Sequence, residues 1–455
     1  MIPCPIESFD STDKAVPHMG WNSAEVVDTT HDAEGVRSSS YYYFVHSYRV
    51  KYDPETYPEA MAWAHTTTQY GQEIFVSSVR RGSVFGTQFH PEKSGQAGLD
   101  LIDAWLRRPE SEHTHAPSSS LRQITPKPTH ALTKRIVACM DVRTNDQGDL
   151  VVTKGDQYDV REKSVTADAA GAVRNLGKPV ALAAKYFEAG ADELCLLNIT
   201  SFRHSPLQDQ PMLAVVRAAA ECVFVPLTIG GGIKDTVDPD GTKRPALEVA
   251  GAYFRAGADK VSIGSEAVFA VERLRASGWQ KGDGTSAIET IAHAYGRQAV
   301  VVSIDPKRVY VDPATYDGPY KAELVYGRED GSELERGKAW WYQCTVSGGR
   351  ETRDMSVTEL AKGSEILGAG EILVNLIDRD GTGLGFDLGL VNLVKRTVRI
   401  PVVASSGAGS VQHFVEVFQD TPVEAALAAG IFHREEVKIG DVKQALKDHN
   451  INVRV

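Results

Sequence analysis

Arg135-Ile-Val-Ala-Cys-Met-Asp141-Val-Arg143 and Ala299-Val-Val-Val-Ser-Ile-Asp305-Pro-Lys-Arg308 share one design: a short apolar run rich in β-branched residues, an aspartate where it ends, and a basic loop. Two glycine-rich turns, Thr228-Ile-Gly-Gly-Gly-Ile233 and Ala404-Ser-Ser-Gly-Ala-Gly409, follow at matching places. After each comes another apolar run and a small-residue turn, Gly264-Ser265 in the first case and Ala429-Gly430 in the second. The three pairs recur at offsets of about 165 to 175 residues, so a half-unit has been used twice.

Working outward, strand-like runs fall at 135–140, 193–199, 224–229, 260–263, 299–304, 371–377, 400–404 and 424–428. Between them the apolar spacing turns helical, as at Val357, Leu360, Ala361, Ser364 and Leu367. The strands are continuous apolar runs, as expected when both faces of a parallel sheet are covered. Eight such units predict an α/β fold, a (βα)8 barrel made of two duplicated half-barrels. Two strand-to-helix connections are long, 142–176 and 306–354, and the second has hairpin character in Ala322–Tyr326 and Trp340–Val346.

A length of 455 residues calls for more than one domain. Residues 108–131 are polar and proline-rich without periodicity, which predicts a linker between a domain at 1–107 and the barrel at 132–455. The first domain is strand-rich, with Tyr41–Val50, a hairpin of Ile74–Val79 and Val84–Phe89, and one helix near Gly98–Leu106. The net charge of −11, with no basic block, argues against nucleic acid or an anionic membrane as partner. No apolar stretch is long enough to span a bilayer and the N-terminus carries no signal pattern, which predicts a cytoplasmic protein. The five cysteines lie far apart and fit reduced packing thiols better than a metal site, and no cofactor is called for.

In a barrel, strands one and five face each other, so Asp141 and Asp305 sit across the C-terminal rim, where barrel enzymes keep their catalysts. Two carboxyls there can hold different protonation states, one donating a proton while the other removes one. Glycine at Gly232 and Gly407 lets backbone N–H groups approach an anion, and the turns at Gly264-Ser265 and Ala429-Gly430 add helix N-termini. Two such sites suggest a substrate with a phosphate at each end. Asp380 and Gly381 supply further groups beside the second site, and Lys154 is a candidate cation from a glycine-flanked loop. At the opposite end of the strands, Arg135, Glu193, Lys260 and Glu371 are placed to make a closed charged ring, against which stands the plainer reading of salt bridges that plug a barrel bottom.

The strings Ala-Cys-Met-Asp141-Val, Val-Thr-Lys154-Gly, Thr-Ile-Gly-Gly-Gly232-Ile, Gly-Ala-Asp-Lys260-Val-Ser-Ile, Ile-Asp-Arg-Asp380-Gly-Thr and Ala-Ser-Ser-Gly407-Ala-Gly together resemble the cyclase of the imidazole glycerol phosphate synthases, in their fused glutaminase–cyclase form. The resemblance runs from about Lys134 to Val455. It implies a histidine-biosynthesis lyase in which ammonia attacks a bis-phosphorylated ribulosyl substrate. It also implies Asp141 and Asp305 as acid and base, and Lys154 as a mobile-loop lysine. One phosphate site would comprise Gly232, Gly264 and Ser265, the other Asp380, Gly381, Gly407, Ala429 and Gly430. Asn198 and Asn375 would lie near the reacting centre, and Arg135, Glu193, Lys260 and Glu371 would form an ammonia gate. The pathway's phosphoribosyl isomerase and a non-catalytic phosphosugar- or partner-binding barrel are the alternative readings.

Val16-Pro-His-Met-Gly-Trp-Asn22, Tyr43-Phe-Val-His-Ser-Tyr48 and Thr87-Gln-Phe-His-Pro-Glu-Lys-Ser94 resemble the latter part of a class I glutamine amidotransferase. That implies His90 and Glu92 as base and orienting carboxylate, glutamine or ammonia as partner molecules, and an intramolecular glutaminase–cyclase interface. The Gly-x-Cys-x-Gly nucleophile elbow of that family has no counterpart before His90, where Cys4 lies between prolines. The expectation is therefore a partial amidotransferase domain that folds poorly over 1–107 and is inactive as a glutaminase.

Overall fold

The computed structural model describes residues 2–28, 35–109, 121–144, 150–153, 179–199, 211–327, 329, 333 and 335–455. By contact the chain divides into two compact units, Met1–Arg135 with Val223–Val225 and Asn450–Val455, and Ile136–Cys222 with Pro226–His449.

The expected eight strands form, as Arg135–Thr144, Glu193–Asn198, Leu227–Gly230, Lys260–Ile263, Val300–Ile304, Glu371–Asn375, Val402–Ser405 and Ala425–Ala428. They pair in chain order, and the first also pairs with the last, so the sheet closes into a barrel. Successive strand residues point to opposite faces, which sorts each sequence into an inner and an outer set. The inner set meets as one buried cluster of Val137, Cys139, Cys195, Val301, Leu373, Val403, Ala425 and Leu427. Two residues before this layer along the same faces stand Arg135, Glu193 and Glu371; two residues after it stand Asp141 and Asn375. Period-two alternation therefore stacks a charged floor, an apolar middle and a polar rim in one interior.

The helices follow their capping signals. Ser286 and Ser356 make capping boxes with Glu289 and Glu359, and Gly257 and Gly368 end helices in left-handed conformations. Val357, Leu360, Ala361, Ser364 and Leu367 are all buried, as their spacing predicts. All five cysteines are free, with Cys139, Cys195 and Cys344 buried.

Two insertions rise from the rim. Leu150–Thr153 folds back antiparallel on strand one, bringing Thr153 opposite Asp141. The connection after strand five is a four-stranded antiparallel sheet of Pro306–Val311, Val325–Tyr326, Ala339–Val346 and Glu351–Ser356, with Ala339–Val346 pairing all three others.

The N-terminal unit differs from expectation, because it packs two cores. One contains Phe9, Tyr42, Phe44, Tyr70, Phe75, Phe89 and Leu101; the other contains Tyr52, Met61, Ile74 and Val76. What supports them is a strand that apolar patterning does not reveal, Ala64–Tyr70, whose Ala-His-Thr-Thr-Thr-Gln-Tyr pairs antiparallel with Glu73–Arg81. Its polar content is satisfied by bonds such as Thr66 to Ser77 and Ser78 at 2.9 and 2.6 Å. Leu121 and Ile124, within the stretch expected as linker, pack against the second core.

Candidate active site

Asp305 directly follows strand five at the rim. Its main-chain carbonyl accepts a 2.6 Å hydrogen bond from the Thr345 hydroxyl on the insertion sheet. Its carboxylate accepts one from Asn375 Nδ2 at 3.3 Å, and Asn375 Oδ1 in turn accepts from Ser405 Oγ at 3.2 Å. The Ser405 bond fixes which way the Asn375 amide points. Burial pushes the Asp305 carboxyl up to about 6; the Asn375 bond works against this, and the nearby Asp380 charge adds to it. A carboxyl poised there can exchange protons near neutrality.

Asp141 is half-buried on the inner face of strand one, in register with Leu197 of strand two. The charges of Asp141 and Asp380 both bear on the Cys139 thiol, which a hydrogen bond to Cys195, burial and these charges together push well above its ordinary range. The structure thus brings Asp141, Asp305, Asp380 and Asn375 to one rim, with Asn198 closing strand two there. Lys154 lies outside the described residues.

The glycine turns adopt backbone conformations that call for glycine. Gly231 and Gly232 take φ of +88° and +77°, Gly381 +70° and Gly407 +85°, conformations that L side chains rarely adopt. Gly264 caps the helix Ser265–Ala276, and a Cβ added at Gly264 would meet nothing within 4 Å. The adjoining Ser265 hydroxyl accepts from Ser347 N at 2.9 Å. Gly407 is packed closely, since a Cβ there would lie 2.2 Å from the Gly385 carbonyl oxygen. Gly430 opens the short helix Gly430–His433 with Ala429 at its cap.

At the other end of the strands, Lys260 Nζ lies 2.6 Å from both Glu193 and Glu371, and all three side chains are almost fully buried. Thr228, opposite Lys260 in the register, donates to Glu193 at 2.6 Å. Arg135, fully buried, opens strand one at this end. Sequence reasoning missed Thr228 and Ser405, yet both occupy inner-face positions with a small hydroxyl where an aliphatic residue would be ordinary, and that was the available signal.

In the N-terminal unit His90 Nδ1 lies 2.9 Å from Glu92 Oε1, both side chains about half exposed. Burial works against it, but the His90 hydrogen bond holds the Glu92 carboxyl below its usual range. With Nδ1–H given to Glu92, Nε2 is left as the basic nitrogen. The backbone around them is set by His90 N donating to Tyr43 O at 2.9 Å and by Ser94 Oγ donating to His90 O at 2.6 Å.

A closed (βα)8 barrel with aspartates at one rim, in a chain that also carries a His–Glu pair on a second fold, defines a barrel enzyme with an amidotransferase-type neighbour. The chain belongs to the histidine biosynthesis protein family, whose model matches residues 135–438, and the class-I glutamine amidotransferase model matches residues 9–106. It is 54% identical over 459 residues to "Imidazole glycerol phosphate synthase hisHF" of Emericella nidulans, covering 100% of this chain and 80% of that protein. The Schizosaccharomyces pombe protein of the same name is 52% identical over 456 residues, covering 100% and 81%. "Imidazole glycerol phosphate synthase hisHF, chloroplastic" of Arabidopsis thaliana is 51% identical over 456 residues, covering 100% and 73%. Among the described residues no helix is long and apolar enough to cross a membrane.

Proposed function

We propose that this protein is an imidazole glycerol phosphate synthase. Ammonia adds to a bis-phosphorylated ribulosylaminoimidazole carboxamide, which is split and cyclised to imidazole glycerol phosphate and an aminoimidazole carboxamide ribotide. Asp141 and Asp305 exchange the protons. Gly232, Gly264 and Ser265 hold one phosphate, and Asp380, Gly381, Gly407, Ala429 and Gly430 hold the other. Lys154, Asn198 and Asn375 also bind the substrate. Ammonia enters past Arg135, Glu193, Lys260 and Glu371. Residues 1–107 are the amidotransferase part, 108–131 the linker and 132–455 the cyclase, and His90 and Glu92 serve glutamine hydrolysis. Cytoplasmic residence belongs to the same proposal.

The observation that carries this reading is the Asp305–Asn375–Ser405 chain, which orients a carboxyl that burial raises to about 6 at the rim beside Asp380. The phosphoribosyl isomerase reading has no use for the matched amidotransferase segment. The test supplies ammonium and the bis-phosphorylated substrate to wild type and to Asp141→Asn and Asp305→Asn. Each variant is expected to lose at least about a thousandfold in kcat, in line with the loss of a positioned acid or base. Full activity in either variant refutes the assignment of that aspartate.

A further inference from the structure

The sheet inserted after strand five reaches the second phosphate cradle through one carboxylate. Glu335 Oε1 accepts hydrogen bonds from Arg308 Nη1 and, at 3.1 Å, from Arg379 Nη2. Arg308 belongs to the insertion strand Pro306–Val311, whereas Arg379 lies between Asp378 and Asp380 in the loop after strand six.

Both ends of this bridge are fixed. Arg308 is nearly buried, with its guanidinium 4.3 Å from the Trp340 ring centre and its Nε 3.1 Å from Asp387 Oδ2. The other Asp387 oxygen caps the helix Leu388–Thr397 through Leu390 N at 2.9 Å and accepts from Tyr342 at 2.9 Å. The Glu335 carbonyl accepts from Lys338 N at 3.1 Å, which anchors the residue itself. On the cradle side, Arg379 Nη1 donates to Leu384 O at 2.9 Å and so closes the loop that contains Gly381. Gly385 N then donates to Gly407 O at 2.7 Å. A Cβ on Gly407 would stand only 3.4 Å from the Arg379 Cβ, so the turn rests against this arginine.

We infer that Glu335 is a positioning residue for the second phosphate, holding Arg379, and through it the Gly381 loop and the Gly407 turn, in the phosphate-binding conformation. This inference rests on the function proposed above. Glu335 does not touch the reacting atoms, so its removal acts on substrate affinity rather than on the chemical step. The carboxylate is what matters, because one oxygen serves two guanidinium groups and an amide oxygen there has no net charge to offer them.

The full chain, assayed with saturating ammonium, tests this with Glu335→Gln, Arg379→Gln and the double variant. Each single variant is expected to raise the KM for the bis-phosphorylated substrate about tenfold with kcat within about twofold, the equivalent of losing one charge-assisted bond. The double variant should be no worse than the worse single one, since both break the same link. An unchanged KM, additive effects, or a loss confined to kcat or to thermal stability overturns the inference. If Glu335→Gln does not fold, Arg379→Gln decides on the same KM criterion. Wild-type turnover with an unaffected Glu335→Gln variant removes only this inference; a wild type that neither binds nor converts the substrate removes the proposed function with it.

Discussion

At the scale of the residue, the chemistry turns on how the fold sets one carboxyl. A strand-end aspartate is legible as a candidate acid or base from its repetition, but its proton affinity is not, because that depends on burial and on partners 70 residues away. With the Asp305 carboxyl at about 6, a step that needs its ionised form rises with pH through about 6 and then levels. The Asn375 bond favours the carboxylate, so losing it raises the pKa further. Asn375→Leu should therefore move the acid limb of the kcat/KM profile toward higher pH, by roughly one pH unit. An acid limb that stays put or moves the other way would show that Asp305 is not the group titrating.

At the scale of the element, strand alternation explains both what was legible and what was not. Arg135, Glu193, Lys260 and Glu371 stand at strand starts on the inner-face parity, so a charged floor could be read from the sequence. The actual pairing could not: Lys260 is shared by Glu193 and Glu371 with support from Thr228. Replacing the lysine leaves two carboxylates in a dry interior with no cation between them, which costs more than the ion pairs themselves stabilise. Lys260→Met should cost about 3–5 kcal/mol in urea unfolding. A loss below about 1 kcal/mol would mean that the floor is solvated. The strand Ala64–Tyr70 escaped for the converse reason, since its buried threonines are paired by hydroxyl bonds rather than marked by apolar alternation.

At the scale of the whole molecule, the N-terminal unit carries a pair of histidines whose protonation bears on its folding. His46 Nδ1 faces the Tyr48 carbonyl at 2.8 Å, His18 Nδ1 faces His46 Nε2 at 3.0 Å, and Asn22 Nδ2 faces His18 Nε2 at 3.2 Å. Read from the carbonyl end, each ring donates from Nδ1 and accepts at Nε2, so both are neutral and every ring nitrogen is used. Burial, with the charge of His46, drives the His18 pKa well below its ordinary value, and burial takes His46 down to about 4. The unfolded chain therefore binds protons that the folded unit refuses. Stability is complete above about 6.5 and is lost as pH falls toward about 4, by about 3 kcal/mol for His46 at the lower limit. Thermal melts of the full chain between pH 7 and 4 should show this slope, and His18→Gln with His46→Gln should flatten it. Equal slopes in wild type and double variant would exclude these rings as its origin.

The sequence by itself determined the eight strands, the duplicated half-barrel, the paired strand-end aspartates and the glycine-rich turns, because strand period, helix period and glycine placement are local properties that adjacent residues express together. Only the tertiary structure decided that Asn375 and Ser405 tune Asp305, that Lys260 is divided between two glutamates, and that Glu335 ties an inserted sheet to the Gly407 cradle. Those are directional bonds of a few ångströms between residues tens of positions apart, and no local pattern encodes such a meeting until the barrel closes and brings the strand ends to one rim.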